Sequence, residues 1–197
     1  MKRWLFLPLL ALIYSIDLPI AELFQHKAQW LKTCGKIGSI AISPTLWFTS
    51  ACAAALLAYL FKYRHRQKLL EGTFFLGFGY ACIRVLKNTI GRSRPKMWVI
   101  HKVHTCQFLT MDPHYHSFPS SHAFTAFFIT LYLAKAFPKC RIPLYCLASL
   151  LTFSRIIAQQ HFATDLIAGA LLALAIHKLI EQKKIGQFLA RSRKKLS

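Results

Sequence analysis

Residues 69–95 read LLEGTFFLGFGYACIRVLKNTIGRSRP. An apolar run from Leu69 to Ile90 gives way at its far end to Lys87, Arg92, Arg94 and the helix-ending Pro95. A helical span needs about 20 apolar residues and tolerates charge only near its ends, so the stretch reads as a transmembrane helix tipped with cations. Outward from it the same pattern recurs. Candidate spans lie at Trp4–Ala21, Ile37–Phe61, Leu69–Ile90, His122–Phe137, Ile142–Ala158 and Phe162–Ile180. None alternates with period two, and all are rich in Leu, Ala, Ile and Phe, which selects helices over barrel strands. The expected fold is all-α: a polytopic membrane protein with six transmembrane helices in one bundle. No repeat or Gly/Ser linker divides it, so residues 1–197 are read as a single integral-membrane domain with a basic cytoplasmic tail at 181–197.

The composition agrees with that frame and excludes others. Of 197 residues 55% are hydrophobic, yet 26 Lys+Arg face only 6 Asp+Glu, a net charge of +20. Nucleic-acid binders place such charge on a polar, solvated face; here it punctuates apolar runs, so no nucleic acid is expected as a partner. Short cytoplasmic loops collect Lys and Arg. With the N-terminus cytoplasmic, that side receives Lys2, Arg3, the Lys62–Lys68 loop, Lys135, Lys139, Arg141 and the tail from Lys178 to Lys195. The first segment lacks a convincing small-x-small cleavage site and is read as a span. Cysteines are uninformative for class. A Cys34–Cys106 disulfide is open on this reading.

Arg84, Lys87, Arg92, Arg94 and Arg155 remain outside the cytoplasmic set, in or at the end of apolar segments, where charge is costly and needs a function. Three polar clusters fall on one extracytoplasmic side. Lys87-Asn-Thr-Ile-Gly-Arg-Ser-Arg94-Pro95 closes the third span, and its spacing of two helical turns lets Lys87 and Arg94 point one way. Phe118-Pro119-Ser120-Ser121-His122 opens the fourth; a Ser before an apolar run signals a helix N-cap, whose free N–H groups favour anions. Ser154-Arg155, His161 and Asp165 join the fifth and sixth. An i, i+4 helical spacing would put His161 and Asp165 on one face, the carboxylate holding one ring nitrogen and leaving the other reactive. Guanidinium and ammonium groups to hold phosphate oxygens, an oriented histidine to attack phosphorus and a second histidine to protonate the leaving oxygen make up phosphoryl-transfer chemistry.

Lys87-x6-Arg94-Pro95, Pro119-Ser120-Ser121-His122 and Ser154-Arg155-x5-His161-x3-Asp165 resemble the three signature motifs of the type 2 phosphatidic acid phosphatase superfamily, with order and spacing intact from about Leu69 to Ala175. The resemblance implies a six-helix core and metal-independent dephosphorylation of a lipid phosphate or diphosphate through a phosphohistidine, with no cofactor. It implies His161 as nucleophile, Asp165 as its orienting partner and His122 as general acid. Lys87, Arg94 and Arg155 would grip phosphate, helped by Ser120 and the backbone of Ser121. Ser121 departs from the family's usual Gly, which suggests a tuned site.

Undecaprenyl diphosphate, phosphatidylglycerophosphate and lipid A phosphates are the candidate substrates. A phosphotransferase of the same family and, from another class, an anion transporter or binding protein are the alternatives. His101, His104, Cys106, His114 and His116 match no standard zinc spacing and are read as a solvated loop. The tail, amphipathic around Ile185, Phe188 and Leu189, is expected on the anionic inner leaflet. The expected setting is a bacterial inner membrane with the site facing the periplasm. The terminal Lys-Lys-Leu-Ser resembles a dilysine retrieval signal, so an endoplasmic-reticulum membrane with a lumenal site ranks second.

Overall fold

The computed structural model describes the backbone of residues 6–25 and 29–196, with side chains described at 15–25, 30 and 33–182. In chain order the helices are α1 (Phe6–Leu23), α2 (Gln29–Ala41), α3 (Pro44–Leu60), α4 (Arg66–Ile90), α5 (Pro95–His101), α6 (Ser121–Ala136), α7 (Arg141–Ile157) and α8 (Ala163–Leu196). Single turns of 3-10 helix stand at Pro113–Tyr115 and Pro138–Cys140. The protein is all-α and polytopic. Among the described residues, four stretches are long and apolar enough to cross a membrane: Thr33–Leu60, Arg66–Ile90, Pro138–Ile157 and Ala163–Gln182. These correspond to four of the six expected spans. The other two map to α1, whose side chains are described only from Ser15 on, and to α6, only 16 residues long. Ile185, Phe188 and Leu189 of the tail also lie outside the described side chains, although the α8 backbone runs unbroken through them.

Local chemistry sets the helix boundaries. The expected second span, Ile37–Phe61, is broken between α2 and α3. Pro44 begins α3 and biases its predecessor away from the helical region, and Ser43 is extended at φ −60°, ψ 121°. α4 ends at Gly91, which adopts a left-handed φ of 56° and returns its N–H to the Lys87 carbonyl. A Cβ there would stand 1.7 Å from the Gln107 carbonyl oxygen, so no side chain fits. α6 starts where the sequence signals it, Ser120 accepting from the Ala123 N–H at 3.3 Å.

The core lies where α6 runs between α4, α7 and α8. Leu76 and Ile83 of α4, Phe124, Phe128 and Leu131 of α6, and Ala173, Ile176 and Ile180 of α8 form one buried cluster. Two glycines permit the close approach. A Cβ at Gly79 of α4 would meet the Phe124 ring at 2.1 Å, and one at Gly169 of α8 would meet the Ser120 carbonyl oxygen at 2.4 Å. The second contact fixes α8 against the first turn of α6, where the polar motifs converge.

Candidate active site

The three motif segments meet at one end of the bundle. α4 brings Lys87, the turn after it brings Arg92 and Arg94, α6 opens with Ser121 and His122, α7 delivers Arg155 in its last turn, and the α7–α8 connection carries His161. Two sequence expectations are corrected here. Lys87 and Arg94 do not share a helix, because Gly91 ends α4 and Arg94 is the extended N-cap of α5. Both nevertheless line one cavity of about 450 Å³. His161 likewise precedes α8 instead of sharing a helical face with Asp165, which sits in the first turn and accepts the Phe162 N–H at 2.8 Å.

His161 is buried, and its Nδ1 lies 2.8 Å from the Ser117 carbonyl oxygen. A carbonyl can only accept, so Nδ1 carries the proton and the lone pair resides on Nε2. Asp165 stands 3.7 Å from Nδ1, too far for a hydrogen bond but close enough to stabilise positive charge developing on the ring. Burial drives the His161 pKa down to about 3; Asp165 opposes the shift, while Lys87 and Arg155 reinforce it. The imidazole is therefore neutral at physiological pH, the form a nucleophile requires.

Asp165 is held from several sides. Ser117 donates its hydroxyl to Oδ2 at 2.5 Å, and Arg92 donates Nη1 to Oδ1 at 2.7 Å. Arg92 also donates Nη1 to Thr164 Oγ1 at 2.5 Å and Nη2 to Asp17 of α1 at 2.7 Å, and its guanidinium lies over the Phe162 ring. Asp17 in turn accepts the Thr164 N–H at 3.1 Å and is hydrogen-bonded by the Thr164 hydroxyl. Burial pulls the Arg92 pKa down, but the carboxylates of Asp165 and Asp17 outweigh it and hold the pKa above its ordinary value. With Arg92 neutralised by Asp17, the charge of Asp165 remains available to His161. Sequence reading missed Asp17, Arg92 and Ser117. The only prior signals were an acid inside an apolar segment and an unexplained cation.

The remaining groups face the cavity or wait beside it. Lys87 donates Nζ to the His116 carbonyl at 2.7 Å, and Arg94 donates to the Pro113 carbonyl at 3.0 Å and to the Gln160 side chain. Burial lowers the Arg94 pKa, with Asp165 opposing. His122 and His161 have ring centroids 6.3 Å apart. His122 Nδ1 and Arg155 Nε are buried without a hydrogen-bond partner among the described residues, the state of groups kept for a ligand. Ser120 is fully buried and serves as a cap, its N–H donating to the Asp165 carbonyl at 3.0 Å. Ser121, at the first position of α6, lines the cavity with a backbone N–H that has no intrahelical acceptor. The histidines of the 101–116 loop do not gather: among the described residues no group of three or more His, Cys, Asp or Glu is placed to hold a metal ion. Instead His104 stacks edge-on against Phe162, and His116 contributes its carbonyl to Lys87. All six cysteines are free.

The family model of the PAP2 superfamily matches residues 68–184, the stretch that carries all three motifs. The chain belongs to the PAP2 superfamily. It is accordingly a membrane phosphatase acting on lipid phosphates, and the superfamily named for phosphatidic acid phosphatases is the one its motifs resemble. The fold is similar to the crystal structure of a transmembrane PAP2-type phosphatidylglycerolphosphate phosphatase from Bacillus subtilis, with 24% identity and a TM-score of 0.67 over 93% of this chain and 94% of that one. It is also similar to LpxE of Aquifex aeolicus, at 22% identity and a TM-score of 0.62 over 83% of this chain and 93% of that one. No curated protein matches the chain. The PAP2 match begins after α1, so Asp17 lies outside the region that defines the family.

Proposed function

We propose that this PAP2 protein hydrolyses a lipid phosphate or diphosphate without a metal, through a phosphohistidine on His161. The candidates are undecaprenyl diphosphate, phosphatidylglycerophosphate and a lipid A phosphate, and the site works on the periplasmic face of a bacterial inner membrane. Nε2 of His161 attacks phosphorus as the bond to the leaving oxygen breaks, and His122 gives that oxygen a proton. His122 then takes a proton from water, the water oxygen attacks phosphorus, the P–N bond breaks, and inorganic phosphate departs. Lys87, Arg94 and Arg155, with the Ser121 N–H, offset the charge on the transferring oxygens, the electrostatic role that carries most phosphoryl-transfer catalysis. Asp165 stabilises the cationic ring of the intermediate.

The observation that carries this reading is the buried, neutral His161, its tautomer set by the Ser117 carbonyl and its Nε2 lone pair left for attack, beside Asp165 and facing His122. We read the whole chain as one membrane domain of six spans. α1 and α6 complete the four apolar spans, and α6, about 24 Å long by its residue count, needs less lipid-facing length because protein surrounds it. The periplasmic assignment follows from the cationic cytoplasmic loops at 62–68 and 135–141.

Phosphate release by purified protein across a panel of lipid phosphates, in excess chelator, tests the proposal. Release that His161→Ala abolishes is expected. Release that the chelator abolishes and zinc restores would refute the metal-free step, and release that survives His161→Ala would refute the nucleophile.

A further inference from the structure

We propose that Arg84 holds a second, lipid-proximal phosphate, so that the protein prefers lipids carrying two phosphates over lipids carrying one. This rests on the reading that Lys87 and Arg94 bind the transferring phosphate. The shared chemistry is a phosphate between that group and the hydrocarbon, either the inner half of a diphosphate or the diester of a phosphoglyceride phosphate.

The cavity of about 450 Å³ that Lys87, Arg94 and Ser121 line also takes in the α3–α4 seam, where Pro44, Thr45 and Phe48 of α3 and Tyr80 and Arg84 of α4 line it. Its volume falls in the range of about 300–1,000 Å³ usual for small-molecule sites. The wall exists because the Thr33–Leu60 span is broken at Ser43 and Pro44. Irregular backbone at membrane depth is tolerated where it is buried in protein or lines a cavity. No carboxylate is among the residues lining this one.

Arg84 lies three residues before Lys87 on the same face of α4, about 4.5 Å nearer the middle of the span. It is exposed, and it makes no hydrogen bond or ion pair with the described residues. An arginine inside a span is costly unless it has an anionic partner, and the four cations of the motif segments, Lys87, Arg92, Arg94 and Arg155, are committed or aimed at the reaction centre. A lipid enters with its chains toward the bilayer interior. Any phosphate between those chains and the terminal one must therefore sit on the interior side of Lys87, where Arg84 stands. A one-phosphate lipid brings only a neutral ester or alcohol carbon to that position.

The test compares kcat/KM of the full chain in micelles on two matched pairs. One pair is a polyprenyl diphosphate and its monophosphate; the other is phosphatidylglycerophosphate and phosphatidic acid with identical acyl chains. The wild type is expected to favour the two-phosphate member of at least one pair. Arg84→Gln is expected to shrink that preference about tenfold, through KM, because a charge-assisted hydrogen bond is lost; Arg84→Lys should recover part of it. The pair that responds distinguishes anhydride from diester. A preference ratio unchanged by Arg84→Gln in both pairs would overturn the proposal, as would an equal loss on both members of each pair. Failure of the parent reading looks different: the wild type itself would release phosphate from none of the four lipids.

Discussion

α3 and α6 are apolar helices of nearly equal length, 17 and 16 residues, yet they live in different surroundings. α3 buries only Ala55 and Ala58 within the protein and turns Leu46, Leu56, Leu57 and Leu60 outward. α6 buries Phe124, Thr125, Phe128, Thr130 and Leu131 among them and carries catalytic candidates at its first turn. In a membrane protein hydropathy says that a segment avoids water; it does not say whether lipid or protein surrounds it. The polar residues separate the two. α6 can hold a buried Thr125 because its hydroxyl is satisfied by Tyr80 at 2.7 Å and by the Ser121 carbonyl at 2.8 Å.

The contrast can be broken at its polar end first. Asp165→Asn keeps the shape of the side chain but removes the charge facing His161. We expect kcat to fall by about 10³-fold or more, in line with the loss of an orienting carboxylate elsewhere, with KM changed little; steady-state kinetics on a lipid phosphate checks it. Gly169→Ala comes next. Its Cβ presses on the Ser120 carbonyl and displaces the first turn of α6, and a misplacement of about 1 Å costs about 10²-fold in rate. An activity loss larger than the loss of thermal stability is the expected sign.

Packing gives the third and smaller pair. Phe124→Ala, at a fully buried position, should lower stability by about 3–5 kcal/mol, whereas Leu57→Ala, 53% exposed toward lipid, should change it by no more than about 0.5 kcal/mol. Denaturation in mixed micelles measures both, and equal costs would erase the distinction between α3 and α6. The smallest effect is in pH. The unfolded chain protonates His161 below its ordinary value of 6.5, but the folded chain does so only near 3, so the unfolded state binds more protons in that window. Stability should therefore fall as pH drops from about 6.5 toward 3. The fall should be shallower in His161→Gln, as melting temperatures at several pH values will register.

Much of this was legible in sequence because lipid and phosphate are demanding partners. Apolar length exposed four spans, and the segments around Lys87, His122 and His161 declared the site through residue types that are expensive in a membrane. Hidden were features made by backbone geometry or by distant pairing. The carbonyl of Ser117 orients His161, yet any residue supplies a carbonyl. Asp17 reaches Arg92 only after α1 packs beside α8, across 75 residues of chain. The left-handed turn at Gly91 has its signal in the glycine itself, but the two-turn spacing of Lys87 and Arg94 fits a continuing helix equally well, and only the backbone separates the two.

The central claim is a covalent phosphate on His161. Wild-type protein mixed with a radiolabelled lipid phosphate and quenched in base within one turnover should yield an acid-labile, base-stable label in the peptide after Arg155 that contains His161, and the label should vanish in His161→Gln. Label on any other residue, or full single-turnover release of phosphate with no label on the protein, would contradict the account.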